Sequence, residues 1–247
     1  MNSRIIIADV HGCYKTLVAL IAKLPPGIPI TFAGDNIDRG RDSRKVIEFV
    51  KDGGYDCVVG NHEVMMMNEL KFRPKDDGTE RPFTDTYHGI WEMNGGDNCL
   101  ESYRYDAYEE LVTGEKIKIR PYDTKALREH LAWFNTLPYF IEYKDVKNAN
   151  GDYLLVTHTT ASGAWEEMNH ESSQFRNEVT WNRPYGHPPK IEGIYNVFGH
   201  TPQKNGATVH EHYSCIDTGC YFKRGEYGRL TALQFPEMIV YEQENVE

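Results

Sequence analysis

The sequence has no C-x-x-C pair, no apolar run long enough to span a bilayer, no internal repeat and no low-complexity tract. Its cysteines are few and odd in number: Cys13, Cys57, Cys99, Cys215 and Cys220. A disulfide framework is therefore not expected, and a reducing compartment fits better. The opening apolar run, residues 5–8, is shorter than a signal-peptide core or a membrane span. The expectation is a cytoplasmic chain without a membrane partner. Basic charge is also scarce, with 27 Lys and Arg against 37 Asp and Glu and a net charge of -10. Polymeric nucleic acid, which attracts basic surfaces, is not an expected partner. A small anionic substrate stays open, because bound cations reverse the charge of a site.

What is present reads as an α/β chain. The 247 residues are 40% hydrophobic and 26% charged, as in ordinary globular proteins, and nothing resembles a linker. One domain over residues 1–247 is expected. Apolar runs at 4–8, 28–33 and 55–59 alternate with helical spacings at 14–23 and 43–51, the latter with Val46, Ile47 and Val50 on one face. Asp42 or Ser43 can cap that second helix, and Gly53 and Gly54 stop it. A third helix is expected at 64–70. This alternation implies right-handed crossovers and parallel strands. A helix at 125–135, strands at 153–156 and 195–198, and a terminal hairpin of 230–235 with 238–241 make the sheet mixed. Two stretches, 71–91 and 159–190, are polar and aromatic without periodicity. Loops of that length are usually functional, so both are expected to rim a site and set substrate choice.

Five of the strands run directly into polar clusters. Asp9-Val10-His11-Gly12 follows the first, Gly34-Asp35-Asn36-Ile37-Asp38-Arg39-Gly40 the second, and Gly60-Asn61-His62-Glu63 the third. His158 and His200 end two later strands. Any one of these is an ordinary turn, but ligands of open α/β sheets bind beyond the carboxyl ends of the strands, where all five converge. Asp9, His11, Asp35, Asn61, His158 and His200 offer only oxygen and imidazole nitrogen, a set suited to Mn, Fe or Zn. A carboxylate such as Asp35 can bridge two cations. A pair about 3.5–4 Å apart can clamp a phosphoryl group and acidify a water into a nucleophile.

These residues, in this order, resemble the signatures GDxHG, GDxxDRG and GNHE of the calcineurin-like metallophosphoesterases, in their phosphoprotein phosphatase branch. Gly199-His200-Thr201-Pro202 supports that branch. The small bacteriophage lambda type of protein phosphatase is the nearest look-alike, through residues 11–14, 94–96, 181–183, 198–202 and 216–219. The resemblance implies two mixed β-sheets packed as a sandwich flanked by helices. It implies one divalent ion on Asp9, His11 and Asp35 and another on Asp35, Asn61, His158 and His200, with Mn first and Fe or Zn as alternatives. His62, paired with Asp38, would protonate the leaving oxygen, and Arg39 and Arg183 would hold the phosphate. Ala8 stands where the first motif usually has Gly, and residues 159–162 depart from the usual Ala-Gly after the histidine.

On the residues alone, His62 is either a general acid or a third ligand. The leading activity is hydrolysis of phosphorylated protein side chains or a small phosphoester. The second is hydrolysis of dinucleoside polyphosphates such as diadenosine tetraphosphate, and Phe72, Phe83, Tyr87 and Trp91 either stack a base or fold as a lid. A silent metal-dependent binding module is a third class, opposed by the completeness of the ligand set.

Overall fold

The computed structural model describes residues 2–75, 80–84, 89–183, 186–223 and 225–247. Three strands and three helices alternate first: β1 (Arg4–Ile7), α1 (Tyr14–Ile21), β2 (Ile30–Phe32), α2 (Ser43–Asp52), β3 (Asp56–Cys57) and α3 (Asn61–Glu69). A hairpin of β4 (Leu70–Pro74) and β5 (Glu80–Thr84), a one-turn helical segment (Glu92–Gly96) and α4 (Asp97–Glu101) follow. A second hairpin of β6 (Ala107–Glu110) and β7 (Lys116–Ile119) leads to α5 (Thr124–Phe134). The rest is β8 (Phe140–Lys147), β9 (Tyr153–Thr157), α6 (Ser173–Trp181), β10 (Ile194–Phe198), β11 (Thr208–Val209), β12 (Tyr213–Cys215), β13 (Arg229–Phe235) and β14 (Ile239–Glu244).

Two five-stranded mixed sheets result, ordered β14-β13-β1-β2-β3 and β11-β12-β10-β9-β8. β1, β2 and β3 are parallel, as are β9, β10 and β12, and the remaining pairings are antiparallel. Strand alternation shows how they stack. Ile5 and Ile7 point to the outer face, where they pack with Leu17 and Leu20 of α1 and Val46 and Val50 of α2. Ile6 points the other way, into a layer shared with Leu154, Val156, Tyr195, Val197 and Leu233. Leu155 faces outward again, under Phe175 and Val179 of α6. Each sheet is thus buried on both faces, which is why β1 and β9 read as continuous apolar runs.

The structure corrects several local expectations. α3 starts at Asn61 rather than at 64. Its first turn is polar and buried, so apolar periodicity cannot reveal it. Asp42 does not cap α2; its carboxylate accepts from Lys45 instead. Part of 71–91 is the β4–β5 ribbon, held by Arg128, which pairs with Glu80 and lies 4.1 Å from the Phe72 ring centre. Most of its side chains are exposed or half-buried, which leaves no burial alternation to read. The segment 159–190 contains α6, capped by the Ser172 hydroxyl, which accepts from the Phe175 N–H at 3.1 Å.

Candidate metal centre

The loops after β1 and β2 are laced together by backbone bonds: Asp9 N to Gly34 O (3.2 Å), His11 N to Asp35 O (2.9 Å) and Gly12 N to Asn36 O (2.9 Å). The lacing forces an unusual backbone. Among the described residues eight non-glycine residues have positive φ, and six of them are Asp9, His11, Asp35, Asp38, Arg39 and His200. Such conformations are costly for side-chain-bearing residues and cluster where function demands them. Two glycines make the approach possible. A Cβ at Gly199 would overlap the Asp9 carboxylate, and one at Gly60 would overlap that of Asp35.

Glu63, which the sequence reading gave no role, organises this end. Its buried carboxylate accepts from the backbone N–H groups of Gly60 (2.9 Å), Asp35 (3.0 Å) and Asn36 (2.8 Å). It thereby ties the start of α3 to the Asp35 turn, and burial raises its pKa to about 6.

Asp35 stands at the centre. Its Oδ1 accepts from His62 N at 3.0 Å and lies 3.3 Å from His158 Nε2. Its Oδ2 lies 3.7 Å from His11 Nε2 and 3.8 Å from His62 Nε2. One carboxylate therefore turns an oxygen toward each of two nests. In one, His11, Asp35 and His62 bring donor atoms within 4.8 Å of one another; in the other, Asp35, His158 and His200 do so. Asn61 completes the second, its Oδ1 2.9 Å from both His158 Nε2 and His200 Nδ1, which are 3.1 Å apart. Asp9 stands outside both groupings, with its carboxylate accepting from His200 N at 3.1 Å.

The donor set fits cations. His11 Nδ1 and His158 Nδ1 lie 2.9 Å from the carbonyls of Ile37 and Ala33, so each donates there, and the neutral ring turns Nε2 inward as a lone pair. With a cation bound, His158 Nε2, His200 Nδ1 and Asn61 Oδ1 would present lone pairs to it. Without a cation the buried carboxylates keep a proton on His158 instead. Burial pushes Asp9 well above the usual carboxylate range, with Asp217 adding to it. Burial also works against ionised Asp35, but His158, His62 and His11 outweigh it and hold Asp35 well below that range. Burial lowers His158 too, yet Asp35 and Asp9 raise it to about 10, while burial and the charge of His158 press His200 down to about 3. A divalent cation among these groups relieves the strain between neighbouring nitrogens and carboxylates.

Beside the nests, His62 Nδ1 lies 2.6 Å from Asp38 Oδ2. Burial disfavours its charged form, but Asp35 and Asp38 outweigh burial and raise its pKa. Trp91 is buried behind this pair and donates Nε1–H to both Asp38 oxygens at 2.9 Å. It neither stacks a base nor belongs to a lid, and Tyr87 lies outside the described residues. Arg39 is braced from Nη1 to the Tyr221 hydroxyl (2.8 Å) and lies over that ring at 4.4 Å, with Nη2 3.4 Å from His62 Nε2. Arg183 is exposed and has no hydrogen-bond or ion-pair partner among the described residues. The region after His158 departs from the resemblance to good effect: Thr159 bonds Val179 O and Glu178 O at 2.9 Å each, fastening the end of α6, and hence Arg183, near the centre.

The crevice has a volume of about 350 Å³ and is lined by His11, Asp35, Asn61, His62, His200, Arg39 and Arg183, together with Asn94, Trp181, Pro202, Asp217, Tyr221 and Phe222. His158, Asp9 and Asp38 lie beneath it, so every predicted site residue is brought to one place. Asp217 was missed as a site residue; it is a buried carboxylate whose pKa burial raises to about 7. Its signal was its place in the matched stretch 216–219. A hollow of about 400 Å³ between Phe83 and Tyr122 is larger but holds none of the predicted ligands. No described helix is long and apolar enough to cross a membrane.

Comparison with known proteins agrees with this geometry. The asymmetrical bis(5'-nucleosyl)-tetraphosphatase of Bacillus velezensis is 28% identical over 94% of this chain and 88% of its own length. Serine/threonine-protein phosphatase 2 of Salmonella typhimurium is 32% identical over 47% of this chain and 49% of its own. The crystal structure of a putative diadenosine tetraphosphatase superposes with a TM-score of 0.58 at 17% identity, covering 99% of this chain and 94% of that one. The calcineurin-like phosphoesterase profile matches residues 4–204. The strand-end ligands, the sandwich that presents them and this profile place the chain in the calcineurin-like phosphoesterase family, whose members are metal-dependent phosphoester hydrolases.

Proposed function

We propose that the enzyme hydrolyses dinucleoside polyphosphates, with Asp9, His11 and Asp35 holding one divalent ion and Asp35, Asn61, His158 and His200 the other. This reverses the order of the two activities weighed from the sequence. The observation that carries it is coverage: the tetraphosphatase likeness runs over 94% of the chain, whereas the serine/threonine phosphatase likeness runs over 47%. The two cations, with Mn as the expected species, would supply Lewis acidity and an activated water. Arg39, held in place by Tyr221, and Arg183, which has no partner among the described residues, suit the binding of two phosphoryl groups, since guanidinium forks match phosphate oxygens. His62, kept protonated by Asp38 and Asp35, is placed to give its Nε2 proton to the departing oxygen. Arg39 Nη2, close to that nitrogen in the free crevice, would turn to the phosphate when substrate binds.

A second reading, hydrolysis of phosphorylated protein side chains, is favoured by the higher identity in the half of the chain shared with the Salmonella phosphatase. The manganese-loaded protein should be assayed side by side on diadenosine tetraphosphate, a phosphoserine peptide and p-nitrophenyl phosphate. We expect the highest kcat/KM on diadenosine tetraphosphate; a higher value on the phosphopeptide would restore the second reading.

A further inference from the structure

We propose that Trp181 forms a nucleobase subsite in the crevice, with Phe222 as its second apolar wall, so that the ligand taken beside the phosphates is the nucleoside of a nucleoside polyphosphate. This deepens the dinucleoside polyphosphate reading and rests on it. Trp181 is the last residue of α6. The core-facing side of that helix is Phe175 and Val179, both fully buried. At 3.6 residues per turn, Trp181 lies about 200° around the helix from Val179, on the far side. It is 37% exposed, whereas Trp91 is 0% exposed. Among the described residues it has no ring contact or hydrogen-bond partner, yet it lines the same crevice as His200, Arg39 and Arg183. A large exposed indole beside a charged site is a surface waiting for a flat apolar group.

Phe222 is the complementary wall. Its ring stacks on Tyr227 with centroids 5.1 Å apart and planes at 29°, lies 4.1 Å from the Tyr221 ring centre on another side, and would be pressed at 2.6 Å by a Cβ at Gly219. Tyr221, the other aromatic residue of the crevice, is already occupied with Arg39. Trp181 and Arg183 are two positions apart, at most about 7 Å along an extended backbone. An indole face and a free guanidinium can therefore act on one ligand, the fork on a phosphate and the face on the base. A phosphorylated serine or threonine brings no flat group to this wall, and a nucleotide does. Base–aromatic stacking tolerates any base, because every base has a π-face.

The test is inhibition of p-nitrophenyl phosphate hydrolysis by ATP and by inorganic tripolyphosphate, which differ in the nucleoside and share three phosphates. Both sequester metal, so the ratio of their inhibition constants isolates the base. The wild type should bind ATP more tightly. Trp181→Ala should raise the ATP constant about 5- to 150-fold, the equivalent of about 1–3 kcal/mol for one stacked base, and move the tripolyphosphate constant by less than about twofold. Trp181→Phe should recover most of the loss. Equal inhibition of the wild type by the two compounds, or equal weakening of both by Trp181→Ala, would overturn the inference. Turnover of diadenosine tetraphosphate by the wild type is a separate readout. Its absence would refute the proposed function, while the inhibition ratio would still decide the role of Trp181.

Discussion

Residues 159–190 put Trp181 and Arg183 into the crevice, whereas no described residue of 71–91 lines it. The sequence gives the two stretches the same look: long, polar, aromatic and aperiodic. In the fold, 159–190 is fastened by Thr159 to the strand end that carries His158, so its helix terminates beside the candidate metal ligands. The other stretch grows out of α3 as a ribbon leaning on α5 through Arg128, and among its described residues Trp91 reaches the site, through its indole N–H on Asp38. One insertion lines the crevice; the other supports the His62–Asp38 pair from behind. Where an insertion is anchored decides which it becomes.

The expected effects of mutation sharpen that contrast. The largest belongs to the residue that the first insertion supports. His62→Asn should slow esters of poor leaving groups by about 10²–10⁴-fold, the usual contribution of a positioned general acid. It should slow p-nitrophenyl phosphate far less and leave metal content near wild type; equal losses, or loss of an ion, would make His62 a ligand. Next is the wall residue Arg183: Arg183→Ala should lower kcat/KM by about 10- to 100-fold on every phosphate substrate, by loss of charge-assisted bonds. Trp91→Phe should cost about tenfold, since it removes a hydrogen bond to a buried carboxylate. It should act through His62, so it should add little in the His62→Asn background.

The pH profile gives the sign of that support. In the proposed mechanism the protonated form of His62 is the active one, so the rate should fall as pH rises through its raised pKa. Trp91 lowers the pKa of Asp38, against the burial that raises it. Without the indole N–H, Asp38 is a stronger base and holds the imidazolium more tightly, so the basic limb of kcat should move to higher pH. A limb that stays in place, with activity lost uniformly, would reduce Trp91 to packing. The smallest effect is expected from replacing residues 71–84 with a short turn, which should alter relative rates on different phosphoesters by less than about threefold, as expected of a distant, independent element. A large change in preference would return that ribbon to the site's rim.

What was legible in the sequence follows the physics of each element. The convergence of the candidate ligands was readable because strand ends are marked twice, by an apolar run and then by residues of metal-binding type. The sandwich came only through the family resemblance; residue patterning alone suggested one mixed sheet. The role of Glu63 was not legible, because a buried carboxylate that binds three backbone N–H groups leaves no trace in a hydropathy pattern. The start of α3 at Asn61 was hidden for the same reason: its first turn is buried among the polar groups at the strand ends instead of in the apolar core. Trp91 read as a base-stacking candidate because an aromatic residue in a polar stretch gives no hint of which side of the site it will occupy.

The proposed dinuclear centre requires Asp35 to serve two cations at once. Metal analysis of protein equilibrated with excess manganese, on the wild type and on Asp35→Ala with an unchanged far-UV circular dichroism spectrum, tests it directly. Two ions per chain in the wild type, falling to one or none in the variant with activity reduced by about 10³-fold or more, is the expected result. A single ion in the wild type, or two retained without Asp35, would contradict the bridging role and the dinuclear mechanism with it.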